Sequence, residues 1–526
     1  MGDEIANFKY CILAAGIGSR NTALRGLHKA LFPVGNRPVI SIIIDKIPKN
    51  VPIVIALGHN GAQIEAYLSE IYPGRTFEFV YVENYSGPGS GPGLSLLKCE
   101  KNMQCPFIFT SADTIVDEDF QFSSVDKNWV GVSQVSNNES HEYCLVRVHE
   151  GLVSEFFYGE NQNAYAYTGI AGILDYKQFW NGLKQENIIR GEHQVLDGLR
   201  SLSDVSPLSM TWLDTGNEKS YARTKSYYPN DLVIEKNNEA IFVDNGRVIK
   251  YFDNASKVKA RILRASELLG CVPEVTKIDN NMFCYKFHEG VRLSDVYDDI
   301  GLANFLADYH LKFRQHNFEK GESFLSDCDK MYRQKTHDRI TPFINTTLDS
   351  INVINGIKVM PIIDLINGVN WATLGEKAIA SRFHGDMQPE NILSLPDGKY
   401  LYLDWRESFG DHLEIGDAYY DLGKLYHALV INNTLILEGG YDIIVKNNQA
   451  TLSYVIKNNL HYLLENLEEF CTQNGYDYSH VQLVGTLNYL NIASLYGKFE
   501  NGKYGNFLFL LGKYMLTKLL EKNNEQ

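Results

Sequence analysis

Strand-like and helix-like segments alternate from residue 8 to about residue 228, and this pattern constrains the fold more than any other feature. FKYCILA, VPIVIAL, FEFVYVE and PFIFTSA are continuous apolar runs rich in β-branched and aromatic residues, as buried strands are. Between them, RPVISIIIDKI and GAQIEAYLSEI have the spacing of helices. The alternation predicts an α/β domain with a mostly parallel sheet, in which ligands bind at the carboxyl ends of the strands.

The pattern changes after YYPND (227–231). EAIFVDNGRVIKYF (239–252) contains two strand-like runs around Asp-Asn-Gly, which predicts a β-hairpin. From about residue 301 helical patterns dominate, in LANFLADYHLKF, LSYVIKNNLHYLLENLEEF and FLFLLGKYMLTKLL. We therefore predict a first domain over 1–228, a linker over 229–235, and a second domain over 236–526. Its small β-rich lobe spans about 236–300 and its helical lobe about 301–526.

Charge and composition exclude some classes of function. The net charge of −15 argues against a nucleic-acid-binding surface, which needs clustered Lys and Arg. The eight cysteines form no CxxC pair, and Cys11, Cys144 and Cys284 lie in strand-like runs, so we predict buried free thiols. The first residues lack the pattern of a signal peptide, and no window reaches about 18 apolar residues. We expect a cytoplasmic protein without membrane insertion, and we leave a homo-oligomer open.

The first predicted strand ends in a glycine-rich turn, LAAGIGSR (13–20). Small residues after a buried strand let backbone N–H groups approach an anionic ligand, and Arg20 adds a fixed positive charge. A tight strand-to-helix turn explains this segment equally well when it is taken alone. Lys29 follows in HKALFPV (28–34). The residues that we predict to approach the anionic ligand in the turn are Leu13, Ala14, Ala15, Gly16 and Gly18.

Together these segments resemble the signature of nucleotidyltransferases that join a nucleoside triphosphate to a sugar phosphate or phosphocholine. The resemblance covers about 230 residues. It implies a Rossmann-like domain in which the ligand of the turn is a nucleotide, and in which Arg20 and Lys29 bind the triphosphate as catalytic residues. The phosphate of a second substrate attacks the α-phosphorus, and pyrophosphate leaves. Asp113 and Asp214 fall where this family keeps carboxylates that bind Mg²⁺, which neutralises developing charge.

A second glycine-rich run, GPGSGPG (87–93), includes Gly91 and Gly93. We predict that it approaches the base and ribose of the nucleotide, because glycine permits close backbone contact. Two features depart from the signature. The interval from Arg20 to Lys29 is one residue shorter, and no Glu-Lys-Pro motif precedes Thr168. The acceptor therefore stays open, and so does the alternative that this domain is a non-catalytic binding or regulatory module.

The segment FHGDMQPENILSLPDGKYLYLDW (383–405) carries a second constellation. Phosphoryl transfer to a hydroxyl needs a carboxylate that orients the alcohol, and Mg²⁺ held by an amide oxygen and another carboxylate. Asp386, Asn391 and Asp404 supply these groups. The D-x4-N…D spacing, with HGD and DW, resembles the aminoglycoside phosphotransferase and choline kinase group. The resemblance implies a protein-kinase-like α+β two-lobe domain, with Asp386 as base, Asn391 and Asp404 as Mg²⁺ ligands, and ATP as substrate.

That fold also needs a lysine on the third strand of the small lobe and a glutamate on the next helix. Lys250 follows the predicted Asn-Gly hairpin, and Glu267 lies in a helical segment. By the resemblance, Lys250 holds the α- and β-phosphates of ATP, and Glu267 positions Lys250.

Further acidic residues lie downstream in LEIGDAYYDLGKLYHAL. On a helix, Glu414, Asp417 and Asp421 would share one face. Such a tyrosine-rich acidic face could bind an amine by charge and cation–π contact, or hydrogen-bond sugar hydroxyls. A structural helix cap explains these residues equally well.

A kinase and a nucleotidyltransferase catalyse consecutive reactions. We therefore hypothesise a bifunctional enzyme that phosphorylates a small alcohol with ATP. It then couples the phosphate to a second nucleoside triphosphate, CTP or UTP by preference, giving an activated precursor for surface glycans. A sugar-type alcohol is favoured. A choline or ethanolamine kinase with a CTP-dependent transferase stays open, as does an active kinase with a regulatory N-terminal domain.

Overall fold

The structure, a computed structural model, describes residues 7–18, 22–116, 124–160, 163–185, 187–189, 191–228, 238–296, 299–314, 318–497 and 499–524. The chain forms two compact units. The first comprises Met1–Val258 and Thr276–Phe287, and the second comprises Lys259–Val275 and His288–Gln526. Among the described residues, no helix is both long and apolar enough to cross a membrane.

The first unit is an α/β structure, as the alternation predicts. Its strands are β1 (Lys9–Ala14), β2 (Pro33–Val34), β3 (Arg37–Pro38), β4 (Ile53–Leu57), β5 (Phe77–Tyr81), β6 (Phe107–Ser111), β7 (Thr114–Val116), β8 (Trp129–Ser133), β9 (Leu145–His149), β10 (Leu152–Phe157), β11 (Tyr165–Ile173), β12 (Ile188–Ile189), β13 (Glu192–His193), β14 (Ser206–Ser209), β15 (Trp212–Asp214), β16 (Glu239–Asp244), β17 (Arg247–Phe252), β18 (Val275–Lys277, which begins in the second unit) and β19 (Met282–Lys286). Its helices are α1 (Val39–Asp45), α2 (Gly61–Ile71), α3 (Pro92–Lys98), α4 (Tyr176–Leu183), α5 (Leu196–Arg200), α6 (Glu218–Tyr227) and α7 (Ala255–Glu267), which continues into the second unit.

The main sheet has the order β10-β9-β11-β6-β1-β4-β5; β8 pairs with β11, and β14 pairs with β8. The strands β6, β1, β4 and β5 are parallel, whereas β11 runs antiparallel to β6. Side chains of β1 alternate between two apolar clusters: Ile12 packs in one, and Cys11 and Leu13 in the other. The sheet is thus covered on both faces, which explains the continuous apolar runs of its parallel strands.

The predicted Asn-Gly hairpin forms between β16 and β17. Asn245 and Gly246 both have positive φ, 45° and 72°, as the two central residues of a type I′ turn require. The strands belong to a four-stranded sheet of order β16-β17-β19-β18. Cys284 on β19, Cys11 and Cys144 are buried free thiols, as predicted.

The division into units differs from the predicted boundary at 228, because β16, β17 and β19 belong to the first unit. Phe242, Ile249 and Tyr251 share one apolar cluster with residues of α1 and β4. The predicted linker, 229–235, lies outside the described residues. The apolar faces of the hairpin are therefore covered by the α/β sheet domain, which the sequence pattern alone does not indicate.

A buried carboxylate connects this hairpin to neighbouring elements of the first unit by hydrogen bonds. Asp244, 4% exposed, accepts hydrogen bonds at Oδ2 from Tyr67 (2.7 Å) and Tyr72 (2.8 Å), and at Oδ1 from Arg37 (2.8 Å). Burial would raise the pKa of Asp244, but the surrounding hydroxyl groups and the guanidinium of Arg37 outweigh burial and lower it. Asp244 is therefore an ionised anchor between the hairpin and α2.

The second unit is mainly helical. Its helices are α8 (Asp299–Phe313), α9 (Glu322–Asp329), α10 (Lys335–Ile340), α11 (Ile362–Asn367), α12 (Trp371–Lys377), α13 (Ala418–Val430), α14 (Asn433–Leu437), α15 (Asn458–Gln473), α16 (Tyr478–Ala493) and α17 (Lys503–Asn524), with a π turn at Lys330–Gln334. Its strands are β20 (Val291–Arg292), β21 (Val353–Ile354), β22 (Ile357–Lys358), β23 (Ala380–Ser381), β24 (Ile392–Ser394), β25 (Tyr400–Tyr402), β26 (Gly416–Asp417), β27 (Tyr441–Lys446) and β28 (Gln449–Tyr454).

One segment of this unit differs from the helical prediction. The beginning of LSYVIKNNLHYLLENLEEF belongs to β28, which pairs with β27, and the helix α15 begins only at Asn458. Ala450 and Leu452 are buried while Thr451 and Ser453 are exposed, the period-two pattern of a strand. Asn447 and Asn448 form the connecting turn with positive φ of 50° and 57°.

Candidate active sites

A cavity of about 640 Å³ lies at the carboxyl ends of β1 and β6 in the first unit. This is the edge where ligands bind in parallel α/β sheets. Arg20, predicted to bind the triphosphate, lies outside the described residues. The predicted residues that line the cavity are Leu13, Ala15, Gly16, Gly18, Lys29, Gly91, Asp113 and Asp214.

The glycine turn and Lys29 lie against each other. Gly18 has a φ of 69°, and a Cβ at this position would lie 2.9 Å from Cδ of Lys29. His28 precedes Lys29, and its Nδ1 accepts a hydrogen bond from the backbone N–H of Ala30 (3.0 Å), which fixes the turn that presents the lysine. The Nζ of Lys29 reaches Oδ2 of Asp113 at 2.6 Å. A positive charge therefore lies inside the cavity, beside the turn.

Asp113 and Asp214 converge across Gly216. A Cβ on Gly216 would lie 3.0 Å from Oδ1 of Asp214 and 3.3 Å from Oδ2 of Asp113. Thr215 connects the two strand ends, because its N–H and its hydroxyl both donate to the carbonyl of Asp113 (3.0 and 3.1 Å). Burial and the neighbouring Asp113 raise the pKa of Asp214.

These two carboxylates fit a divalent cation. Neighbouring buried carboxylates repel each other, and a cation relieves that repulsion. In the part of the chain that the structure describes, no group of three or more His, Cys, Asp and Glu side chains could hold a metal ion. An ion at Asp113 and Asp214 would therefore take its remaining ligands from water and phosphate oxygens, which is how Mg²⁺ is usually held.

Aromatic residues that sequence reasoning missed line the same cavity. Tyr143 donates a hydrogen bond from its hydroxyl to Oδ2 of Asp214 (3.3 Å) and contacts the ring of Trp212 edge to face, with 4.9 Å between ring centroids. Trp212 stands two residues before Asp214 on β15, and residues so spaced share one face of a strand. That spacing could have identified Trp212, whereas nothing in the sequence marks Tyr143.

Two glycines of the second glycine-rich run lie close to the chain's own backbone. A Cβ on Gly91 would lie 2.7 Å from the carbonyl oxygen of His193, and one on Gly93 would lie 2.5 Å from that of Gln194. The close approach that these glycines permit is therefore to the chain's own backbone. Gly91 still lines the cavity, but Gly93 and Ala14 do not.

In the second unit, Asp386 is held by three side chains. Gln388 donates to its Oδ1 (2.9 Å), and Asn391 donates from Nδ2 to its carbonyl (3.0 Å) and its Oδ2 (3.2 Å). Lys424 places Nζ 3.4 Å from Oδ1. Burial would raise the pKa of Asp386, but the charge of Lys424, the hydrogen bond from Gln388 and the neighbouring His384 together lower it. Asp386 is thus an ionised carboxylate, and sequence reasoning missed Lys424.

Asp404 has a φ of 58°. Its Oδ1 lies 2.5 Å from Nη1 of Arg261. Asn391 directs its amide nitrogen to Asp386, and its amide oxygen accepts no hydrogen bond from any residue that the structure describes. An amide oxygen and a carboxylate of these two residues fit the donor set of Mg²⁺. Arg261 was not predicted, although its position on the buried face of α7 follows helical spacing with Val258 and Leu268.

The structure does not support the predicted role of Glu267. Its carboxylate is exposed at the end of α7 and forms no ion pair with any described residue, because Arg261, Arg264 and Leu268 occupy the buried face. Lys250 lies buried on β17 in the first unit, and Glu267 belongs to the second.

For the downstream carboxylates, the structure agrees with the alternative of a structural helix cap at Asp417, and the three do not share one helix face. The helix α13 begins at Ala418, so the exposed Glu414 is not on it. Asp417 caps this helix: it is fully buried and accepts hydrogen bonds from Tyr332 (2.6 Å) and the backbone of Ile379 (2.8 Å). Asp421, also fully buried, accepts the backbone N–H groups of His384 (2.7 Å) and Gly385 (2.6 Å). Asp417 and Asp421 therefore hold the backbone, and Asp421 positions the loop that carries Asp386.

The chain resembles solved structures over less than half of its length. A UDP-glucose pyrophosphorylase from Acinetobacter baumannii has 16% identity, covering 42% of this chain and 93% of that chain, with a TM-score of 0.35. A CTP:phosphocholine cytidylyltransferase from Streptococcus pneumoniae has 19% identity, 42% and 99% coverage, and a TM-score of 0.33. An inositol-1-phosphate CTP transferase from T. maritima has 15% identity, 44% and 99% coverage, and a TM-score of 0.34. No protein-family model and no curated protein matches the chain.

Proposed function

We propose that this protein is a bifunctional enzyme. One site phosphorylates a small alcohol with ATP, and the other couples the phosphate to a nucleoside triphosphate and releases pyrophosphate. The product would be a nucleoside-diphosphate-activated precursor, and we place it in surface-glycan biosynthesis, with a sugar-type alcohol and with CTP or UTP as second nucleotide.

For the nucleotidyltransferase, the observation that carries the proposal is the convergence of Lys29, Asp113 and Asp214 on one cavity at the carboxyl edge of the sheet. Lys29 binds phosphate oxygens of the triphosphate and holds the α-phosphorus for in-line attack. Asp113 and Asp214 would hold Mg²⁺, which neutralises charge on the phosphates when it is bound. The glycine turn exposes backbone to the same anion without side chains that would exclude it.

For the kinase, the proposal rests on the contact between Asp386 and Asn391. Asp386 is ionised, orients the hydroxyl of the alcohol, and accepts its proton as the oxygen attacks the γ-phosphorus. Asn391 and Asp404 would hold Mg²⁺. Lys250, on β17, is proposed to bind the α- and β-phosphates of ATP. The two backbone hydrogen bonds to Asp421 fix the loop, so Asp386 needs little reorganisation during the reaction.

The test is to incubate the protein with Mg-ATP, CTP or UTP and a panel of alcohols, and to follow ADP and pyrophosphate separately. We expect ADP from one class of alcohol, and pyrophosphate only when alcohol and ATP are both present with the second nucleotide. ADP without pyrophosphate, whichever nucleotide is supplied, would contradict the transferase function and favour a regulatory N-terminal unit. Absence of ADP with every alcohol would contradict the kinase function.

A further inference from the structure

Three cationic side chains of the second unit converge near Asp386. Lys335, from α10, donates to the hydroxyl oxygen of Tyr420 at 3.0 Å, and Arg406, which follows β25, donates to the same oxygen at 3.2 Å. Lys424, one turn further along α13 from Tyr420, lies 3.4 Å from Oδ1 of Asp386. We call Lys335, Arg406 and Lys424 the cationic cluster.

Among the described residues, the carboxylate at ion-pair distance from the cationic cluster is that of Asp386, and the charge of Glu407 acts on Arg406 from further away. Lys424 reaches the carboxylate of Asp386, but within the described part of the chain no carboxylate lies at ion-pair distance from Lys335 or Arg406. Burial alone would raise the pKa of Tyr420, yet the charges of Arg406, Lys335 and Lys424 outweigh it and lower the pKa to about 7. The two hydrogen bonds to the hydroxyl oxygen of Tyr420 and the nearby ammonium of Lys424 stabilise its ionised form.

A buried lysine elsewhere in the same unit shows how a buried positive charge is usually compensated. Lys513 is fully buried, and it has Oδ1 of Asp349 at 3.3 Å and two backbone carbonyl oxygens at 2.7 and 3.1 Å. That arrangement compensates its charge within the chain, as buried ions require. Among the residues that the structure describes, Lys335 has the hydroxyl of Tyr420 as its hydrogen-bond acceptor, and Arg406 has that hydroxyl and the carbonyl of Ser408 (3.0 Å). The cationic cluster therefore resembles an anion-binding site rather than a structural ion pair.

The acidic residues of the segment around α13 do not form a site for a cationic substrate. Asp417 and Asp421 are fully buried and hydrogen-bonded to backbone N–H groups, and Glu414 precedes the helix. The side chain that the structure brings to Asp386 from α13 is instead Lys424. Charge complementarity next to the catalytic carboxylate thus favours a negative ligand.

We propose that the alcohol phosphorylated at Asp386 carries a second, negatively charged group, a carboxylate or a phosphate, which Lys335 and Arg406 bind. The inference rests on the proposed kinase function. The hydroxyl oxygen attacks the γ-phosphorus of ATP, its proton passes to Asp386, and the bond to the β,γ-bridging oxygen breaks to release ADP. Choline, ethanolamine and amino sugars are poor substrates in this account, because their cationic group meets the cationic cluster.

The first test compares alcohols that differ in charge and little else, with the full-length protein and Mg-ATP. Glucuronate, glucose and glucosamine form one such set, and glycerol 3-phosphate, glycerol and choline form another. We expect kcat/KM for ADP formation to be at least about tenfold higher for the anionic member of a set. Equal or higher values for the neutral or cationic members would overturn the inference while leaving the kinase function intact.

The second test separates the alcohol from the γ-phosphate of ATP, since both are anionic. Lys335→Gln should raise KM for the anionic alcohol about tenfold or more and leave KM for ATP unchanged, while Lys335→Arg should retain most affinity. Lys399→Gln is the matched control, because Lys399 is 75% exposed on the same unit. A rise in KM for ATP alone would assign the cationic cluster to the nucleotide and overturn the inference.

If no alcohol yields ADP, the kinase function fails, and binding decides the inference separately. Isothermal titration of glucuronate and of glycerol 3-phosphate into the wild-type protein with Mg-ADP should then show binding that Lys335→Gln loses and Lys399→Gln keeps. Absence of binding to the wild-type protein would contradict an anion site at the cationic cluster.

Discussion

At the scale of single residues, Gly216 lies between the two carboxylates of the first cavity and leaves little space there for a side chain. Gly216→Ala would place a Cβ 3.0 Å from Oδ1 of Asp214 and 3.3 Å from Oδ2 of Asp113, so the carboxylates must move apart. We expect pyrophosphate formation to fall about tenfold to a hundredfold, since displacements below 1 Å are costly at a reacting centre. ADP formation should be unchanged. Gly74→Ala is the control, because nothing lies within 4 Å of its added Cβ; equal activity of both variants would contradict this geometry.

Tyr420 makes the cationic cluster sensitive to pH. As pH rises through about 7, Tyr420 ionises and offsets part of the charge of Lys335, Arg406 and Lys424. KM for an anionic alcohol should therefore rise about tenfold between pH 6 and pH 8.5, and Tyr420→Phe should flatten this rise. Steady-state kinetics of ADP formation across this range measures it, and an identical profile in the variant would contradict the assignment.

The same ionisation affects stability with a defined sign. Because the pKa of Tyr420 is lowered from 10.0 to about 7, the folded protein releases this proton before the unfolded chain does. Its contribution to the free energy of unfolding therefore grows between pH 7 and pH 10 and is lost as pH falls below about 7. Tyr420→Phe should accordingly lose more stability at pH 9 than at pH 6.

At the scale of elements, the hairpin β16–β17 depends on Asp244. Asp244→Asn removes the buried charge opposite Arg37 and leaves one amide N–H group facing a hydroxyl donor of Tyr67 or Tyr72. We expect the free energy of unfolding in urea to fall by about 2–4 kcal/mol. ADP formation should fall too if Lys250, which we propose to bind the phosphates of ATP, acts in that reaction, because it lies on the same hairpin. Asp126→Asn, at an exposed position of the same unit, should change neither, and a similar loss in both variants would contradict an anchoring role.

The sequence predicted correctly those elements that are determined by neighbouring residues in the chain. The Asn245-Gly246 turn was predictable because two consecutive positive φ values need residues of this kind. The strands of the parallel sheet were predictable because burial on both faces imposes continuous apolar runs. The second hairpin was missed because its turn is Asn447-Asn448 and the following residues continue with helical spacing.

Side-chain assignments that depend on packing were less predictable. Asp386 and Asn391 are in contact because the D-x4-N spacing spans one short loop. Glu267 was assigned without knowing which face of α7 is buried, and the partner that the helix presents to Asp404 is Arg261. The sequence spacing of Asp417 and Asp421 suggested a shared substrate-binding face. In the structure, both carboxylates accept hydrogen bonds from backbone N–H groups instead. Helical periodicity predicts which residues share a face of a helix, but it does not predict which other elements pack against that face.

At the scale of the whole molecule, the two units do not coincide with the two predicted domains. The strands predicted for a small kinase lobe share an apolar cluster with the α/β sheet domain, and Lys250 belongs to that unit. Asp386, Asn391 and Asp404 belong to the other. The residues that the sequence pattern assigns to one kinase domain therefore fall in two units.

The most direct measurement of this account uses two variants of the full-length protein, Asp113→Asn and Asp386→Asn. With the alcohol, Mg-ATP and the second nucleotide, Asp113→Asn should form ADP without pyrophosphate, and Asp386→Asn should form neither. A mixture of the two variants should restore pyrophosphate, because the phosphorylated alcohol made by one is used by the other. If the mixture releases no pyrophosphate, or if Asp113→Asn also loses ADP formation, the claim of two separate active sites in this chain is contradicted.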